Sequence, residues 1–345
     1  MKNSRIALLA GLLALGAVAL PAQADYTAAL SALEKQDYKT AFPLMRKSAE
    51  AGDADAMYSL ALMYWNGQGV APSTATSIQW LNKAGAAGNV SAMNALAKLY
   101  MTGAGVPRDV LQARNWAEKS ARLGNVDGEV AYYLSVVSGP ELNYRESGQP
   151  DLDKYKALAK RSLSERQLDQ QAYDMLGKAL DQGSAVAKLY TVAEMVDKVG
   201  PGNSSRALTL VGDLKDLPTP LANVAVALQS LSGIGDSYAN YTTFMNAKAM
   251  AQPAASALAQ KAGYFSAGGC SPDDLKIAAT AISRPLAGAV YLPATQHQLA
   301  TVFLIAGNWQ EKWTFDACGK TVSVPVEFQA DGMGGATFQV KVPGA

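Results

Sequence analysis

Three glycines, Gly52, Gly88 and Gly124, stand 36 residues apart, and that interval limits what this chain can fold into more than any other feature. Their neighbours keep the same step. Met57, Leu60, Ala61 and Tyr64 return as Met93, Leu96, Ala97 and Tyr100. Gly67, Gly69 and Val70 return as Gly103, Gly105 and Val106, and Trp80 and Lys83 return as Trp116 and Lys119. A fixed period of this length signals stacked supersecondary units, none able to bury its apolar side alone. Each unit reads as two helices. Met57, Leu60, Ala61 and Tyr64 fall on one face of the first helix. Asp53 is placed to cap its start, and Gly67 to stop it in a left-handed conformation. Ser73, or Asp109 one period later, caps the second helix, whose apolar side is Ile78, Trp80, Leu81 and Ala84. Half a unit precedes these, with Tyr38, Ala41, Leu44 and Ala49 on a helix and residues 26–34 forming its partner. A third unit opens at Gly124 and then departs. Glu141 replaces the second glycine, and Gly139 to Asp153 reads as an insertion before helical pattern resumes from Lys154 to Gly183.

The run Ala51-Gly52-Asp53-Ala54-Asp55-Ala56, followed by Leu60, Tyr64, Gly67-x-Gly69-Val70 and Trp80-x-x-Lys83-Ala84, resembles the Sel1-like repeat. Good matches cover residues 36–135. The resemblance implies a mainly α chain, an α-solenoid of antiparallel helix pairs related to the tetratricopeptide repeat. It also implies an adaptor role, with protein partners. One secreted branch of the family carries a cysteine pair in every repeat. These repeats contain none, so that branch's ligand chemistry is not carried over. By analogy with tetratricopeptide relatives, positions opposite the Met57/Leu60/Tyr64 face line a groove. They are Asp55, Tyr58, Leu62, Trp65 and Asn66, with Asn94, Lys98 and Met101 among their counterparts. Trp65 does not recur, and varying exposed positions are where a repeat protein changes what it binds. The alternative is local packing of these side chains against the N-terminal helix.

The ends differ from the middle. Lys2 and Arg5, the uncharged run Ile6 to Leu20 and Ala22-x-Ala24 read as an export signal over residues 1–24, cleaved after Ala24. The expectation is a periplasmic or secreted chain with no membrane span once cleaved. Its 321 residues carry 28 basic against 29 acidic side chains. A near-neutral chain has no bulk attraction for nucleic acid. We expect the solenoid over 25–183 and further helical, degenerate repeats over 184–265, where no 36-residue register is visible. Helices are expected at Ala185–Val199, Ser205–Leu214, Leu221–Leu231 and Tyr238–Met250. A small C-terminal antiparallel β domain is expected over 266–345. There Trp309, Glu311, Trp313 and Phe315 alternate onto one face, as do Val322, Val324, Val326 and Phe328. Gly319-Lys320 and Asp331 to Gly335 supply turns, and Pro325 suggests an edge or a bulge. A helix at about 272–285 is the nearest candidate to cover the sheet. Cys270 and Cys318 are expected to pair in an oxidising compartment.

Chemistry fares worse. The one histidine, His297, stands in Thr295-Gln296-His297-Gln298 with no nucleophile motif beside it, and it reads as a surface or packing residue. Asp53/Asp55 and Asp273/Asp274 could act as carboxylate pairs, but both stand where helix starts favour acids. No calcium loop or phosphate cradle is present, and no metal or cofactor is expected. The leading expectation is a non-enzymatic envelope scaffold. A glycan-binding module using Trp65, Tyr58 or the face around Trp309 is the alternative, and a carboxylate hydrolase the remote one.

Overall fold

The cap and glycine positions read from the sequence become helix ends in the computed structural model, which describes residues 21–137, 157, 160–162, 164–198, 200, 203–212, 229, 233–267, 269–292 and 303–341. The chain divides into two compact units, Met1–Leu96 and Ala97–Ala345. The first holds α1 (Pro21–Glu34), α2 (Tyr38–Glu50), α3 (Ala54–Asn66), α4 (Thr74–Ala86) and the start of α5 (Val90–Thr102). Asp53 accepts from the backbone N–H groups of Asp55 and Ala56 at 3.0 and 2.9 Å, and so caps α3. Ser73 caps α4 through the N–H of Thr76. Gly67 ends α3 at φ 71°, which a side chain would resist. Mostly alanine and methionine side chains form the core of this unit: Ala29, Ala41, Met45, Ala49, Ala56, Leu60 and Met63. Ala61 lets α4 approach α3 closely enough for the Ser77 hydroxyl to donate to its carbonyl at 2.7 Å.

One turn recurs throughout. After many of the described helices a residue takes the left-handed conformation, and the next N–H reaches back five residues to a carbonyl, the Schellman closure. The bonds are Asp53 to Ser48, Asn89 to Ala84 and Asn125 to Ser120, after Gly52, Gly88 and Gly124. Asp37 to Ala32 follows the same rule, with Gln36 at φ 56° where the others use glycine. So does Ser184 to Ala179, after Gly183. Ser184 then caps the next helix through the N–H of Ala187. The turn that starts a unit therefore occurs once more at Gly183, 59 residues after Gly124 instead of 36. The longer interval takes this turn out of the 36-residue register. The insertion expected at Gly139 to Asp153 and the helix expected at Leu221–Leu231 lie outside the described residues, Gln229 excepted, as does the export signal through Leu20.

The second unit continues with α6 (Val110–Arg122), α7 (Val126–Val137), a 3-10 turn (Ser164–Arg166), α8 (Gln167–Asp181), α9 (Ala185–Asp197), α10 (Asn203–Gly212) and α11 (Tyr241–Lys261). It ends in β1 (Lys276–Leu292), β2 (Phe303–Ala317), β3 (Lys320–Ala330) and β4 (Ala336–Val340), an antiparallel meander in that spatial order. The alternation placed Trp309, Glu311, Trp313 and Phe315 on one face, and all four are fully buried. The expected covering helix at 272–285 is not there. Only Pro272–Asp274 turns, and residues 276–292 are β1. Alanines in this stretch suggested helix, but Pro285 would break one, and pairing with β2 decides the matter, because strand preference follows context. The cover is α11, whose Ala247, Ala251, Ala255 and Ala259 form a buried ridge at four-residue spacing. Phe244 stacks on Trp313 at 4.6 Å between centroids. That burial carries α11 past Pro253 to Lys261, beyond the end expected at Met250.

Pro325 lies in an interior strand, yet locally at an edge. Its carbonyl accepts from the N–H of Lys341 on the β4 side, so its missing N–H also points there, just past Val326, where the β3–β4 pairing ends. Cys270 and Cys318 form a disulfide with Cα atoms 5.8 Å apart, and it ties the β2–β3 turn to the segment after α11. The β3–β4 turn is held by the helices: buried Arg166 donates to the Gly332 carbonyl at 2.7 Å, and Lys198 to that of Met333 at 3.3 Å.

Candidate interaction site

On α3 the buried side is Ala56, Leu60, Ala61 and Met63, so helical geometry turns Asp55, Tyr58, Leu62 and Trp65 outward along one stripe. Leu62 is 39% and Trp65 40% exposed, large values for apolar side chains of this size. Ser59 of the same helix meets α1 through a hydrogen bond with Tyr26, whose hydroxyl is pushed up chiefly by burial. Leu30, one turn beyond Tyr26 on α1, is also exposed at 37%, and sequence reasoning did not single it out. Tyr58 is half-buried and Asn66 exposed. Asp55 is engaged: its carboxylate accepts from Asn89 Nδ2 at 2.6 Å, fastening the start of one repeat to the next. Asn94, Lys98 and Met101 share one face of α5 by spacing, half-buried, exposed and half-buried respectively. The unit boundary falls within α5, leaving Asn94 in the first unit and Lys98 and Met101 in the second.

The other candidates resolve into structural roles. Asp53 and Asp55 are a cap and a repeat fastener. Asp274 closes a capping box with Ser271, and hydrogen bonds from that residue hold its carboxyl below the usual range. Cys270, Asp274 and Cys318 bring their ligand atoms within 4.8 Å of one another, but the disulfide occupies both sulfurs. His297 lies outside the described residues. Trp309 has no exposed surface and cannot offer a platform to a glycan, so that part of the alternative is withdrawn. Trp80 and Trp116 carry the same contact one period apart, with Lys83 and Lys119 lying 4.1 and 4.2 Å from their ring centroids.

Two polar hubs in the second unit, one buried and one half-buried, escaped the sequence reading. Glu311 accepts from the indoles of Trp309 and Trp313, both at 2.8 Å, from the Ser237 hydroxyl at 3.0 Å and from the N–H of Tyr238 at 3.1 Å. Burial pushes its carboxyl up, against the pull of these donors. It pins residues 237–238, just ahead of α11, to the sheet. Glu194 on α9 accepts from Tyr133 on α7 at 2.5 Å and from Tyr173 on α8 at 2.8 Å. Burial, then the Glu194 charge, drives both hydroxyls well above the ordinary tyrosine range. Glu311 stood on an apolar face in the alternation, and a charge at such a position was the available signal.

Paired helices, identical closing turns and an outward stripe that varies between units define a helical-repeat scaffold. Comparison with known families gives one match: the Sel1 repeat model matches residues 31–53, 54–89 and 90–125. The chain carries three Sel1 repeats over that span, and the second and third matches begin where α3 and α5 begin. Among solved structures it is similar to a Sel1 repeat protein from Oxalobacter formigenes, at 25% identity over 49% of this chain and 44% of that one, with a TM-score of 0.38. It is also similar to a protective antigen present in uropathogenic Escherichia coli strains that displays an SLR fold, at 24% identity over 55% and 44% of the two chains, with a TM-score of 0.35. The chain thus spans less than half the length of either structure. No curated protein matches it at a significant level. Sel1-repeat proteins generally mediate protein–protein interactions.

Proposed function

We propose that this protein is a scaffold of the bacterial cell envelope, working without catalysis, which holds a protein segment against the outward face of its first repeats. The observation that carries this reading is the exposure of Leu62 and Trp65 on the α3 face, at a position where Trp65 gives way to Met101 one period later. Partly exposed aromatic and methionine side chains supply contact area at small entropic cost and are typical anchors of interfaces. Export to the periplasm is supported by the basic, apolar and Ala22-x-Ala24 segments of the N-terminus, and the disulfide is consistent with an oxidising compartment. Among the described residues, no helix is long and apolar enough to cross a membrane.

The test is site-specific photocrosslinking in living cells, with the photoreactive residue at position 62 or 65 and, as a control, at buried position 60. A discrete adduct with one envelope protein from positions 62 and 65, lost on Tyr58→Ala, supports the reading. Adducts no different from those at position 60 overturn it. Fusing residues 1–30 to a reporter active only outside the cytoplasm tests export separately.

A further inference from the structure

The outer face of the sheet, opposite the aromatic core, carries a shallow open hollow of about 250 Å³, a little below the usual size of a small-ligand pocket. Phe328 and Phe338 contribute to its lining, and its polar residues are Arg284, Asn308, Glu327, Gln329, Thr337 and Gln339. Strand register sets these in two rows. Arg284, Gln310, Glu327 and Gln339 lie opposite one another across all four strands, and Asn308, Gln329 and Thr337 lie beside them.

Three observations separate this face from an ordinary solvated sheet surface. First, its one carboxylate is shared by two cations. Glu327 pairs with Lys341 at 2.9 Å and Arg284 at 3.6 Å and accepts from Gln310 at 3.3 Å. Second, the amides of Asn308, Gln329 and Gln339 have no side-chain hydrogen-bond partner among the described residues. Each presents a donor and an acceptor side by side toward the hollow. Third, the backbone is bent at this place. β1 advances three residues from Arg284 to Ala287 while β2 advances two from Gln310 to Asn308. Gly307, next to Asn308, sits at φ 132°, a conformation that side chains rarely adopt. Bulges of this kind re-aim side chains beside binding sites, and asparagine is itself disfavoured in strands.

We propose that this hollow binds a saccharide, whose hydroxyls are held by the amides of Asn308, Gln329 and Gln339 and by the guanidinium of Arg284. A sugar hydroxyl both donates and accepts, as a primary amide does, so the two match without any net charge. Glu327 is shared by Lys341 and Arg284, so these three side chains keep one positive charge in excess and a cationic ligand fits poorly. An extended peptide fits poorly too, since β2 and β3 are interior strands with no free edge. The site is separate from the α3 face, so the two readings stand or fall independently.

The experiment is a titration of the full-length isotope-labelled protein with soluble cellotetraose, maltotetraose and chitotetraose, following side-chain amide resonances by NMR. The expected result is a saturable shift at Asn308, Gln329 and Gln339 with at least one of the three sugars. Binding should weaken at least about tenfold in Asn308→Ala/Gln339→Ala, both exposed positions, with the melting temperature unchanged. Trp65→Ala should leave the titration as it was. The proposal is overturned if none of the three sugars moves these resonances, if the double variant binds as well as the parent, or if Trp65→Ala abolishes the shifts.

Discussion

The repeat unit Met1–Leu96 and the sheet region bury their polar groups by opposite means. In the repeats the work is local and replicated. Asp37, Asp53, Ser73 and Asn89 each satisfy nearby backbone N–H groups within three residues, and the helix ahead of each is closed by a left-handed residue followed by an N–H that reaches back five residues. In the sheet region a single carboxylate, Glu311, gathers donors from positions 237, 238, 309 and 313. The cores differ in the same sense. Alanine and methionine fill the first unit, whereas Trp309, Trp313, Phe315 and Phe328 interlock in the second, with Trp309 and Phe328 stacked at 5.0 Å. Replicated local caps distribute the cost of burial over many weak terms, while one long-range hub concentrates it.

Removing the hub should therefore give the largest effect. Glu311→Ala strands two indole N–H groups and the Tyr238 N–H in the core, and we expect it to cost about 3–5 kcal/mol by denaturant unfolding. Asp53→Ala in the repeats should cost about 1 kcal/mol. Equal losses from the two would break the contrast. Next comes the disulfide: Cys270→Ala/Cys318→Ala should lower stability by about 2–4 kcal/mol. Hydrogen exchange should rise in α11 and the sheet and stay unchanged in α1–α4. Smaller still is the backbone strain of the first repeat. Gln36 holds the left-handed position at φ 56° that glycine holds at the equivalent turns. Gln36→Gly should raise stability by about 0.5–1 kcal/mol, and Gly52→Ala should lower it by about 1 kcal/mol. A loss on Gln36→Gly would mean that its side chain makes a contact outweighing the strain.

The pH response sharpens the comparison at the smallest scale, and its sign differs between the regions. Asp37 is held below the usual carboxyl range, first by hydrogen bonding to Thr40. Its stabilisation is present above the unfolded pKa and is lost as pH falls through the folded one. Glu311 is raised by burial. Its ionised form costs stability above the folded pKa, and that cost fades as pH falls through it. Relative to Glu311→Gln, the parent protein should therefore gain stability as pH is lowered from neutrality. Relative to Asp37→Asn it should lose stability. Parallel melting curves across pH for parent and Glu311→Gln would overturn the assignment of a raised pKa.

What could be read from the sequence follows the range of the forces involved. The helix caps at Asp53, Ser73 and Asp109, the stop at Gly67 and the inward face of β2 were all legible. Each rests on contacts within a few residues or on strict alternation. The α3 stripe was legible as positions, but the exposure of Leu62 and Trp65 was not, because it depends on where α1 lies. The role of Glu311 was half visible, as a charge among apolar neighbours. Its donors Ser237 and Tyr238 lie more than 70 residues away and carry no mark of their partner.

By itself, then, the sequence determined a 36-residue helical repeat, its turn chemistry and a two-residue period near the C-terminus. These are patterns that the backbone enforces locally. Tertiary structure alone decided that residues 276–292 form a strand and not a helix, that α11 covers the sheet, and that the unit-starting turn returns at Gly183. An alanine-rich stretch has no strong preference of its own. Its conformation is set by the surface it is given to bury against, and that surface comes from residues far along the chain.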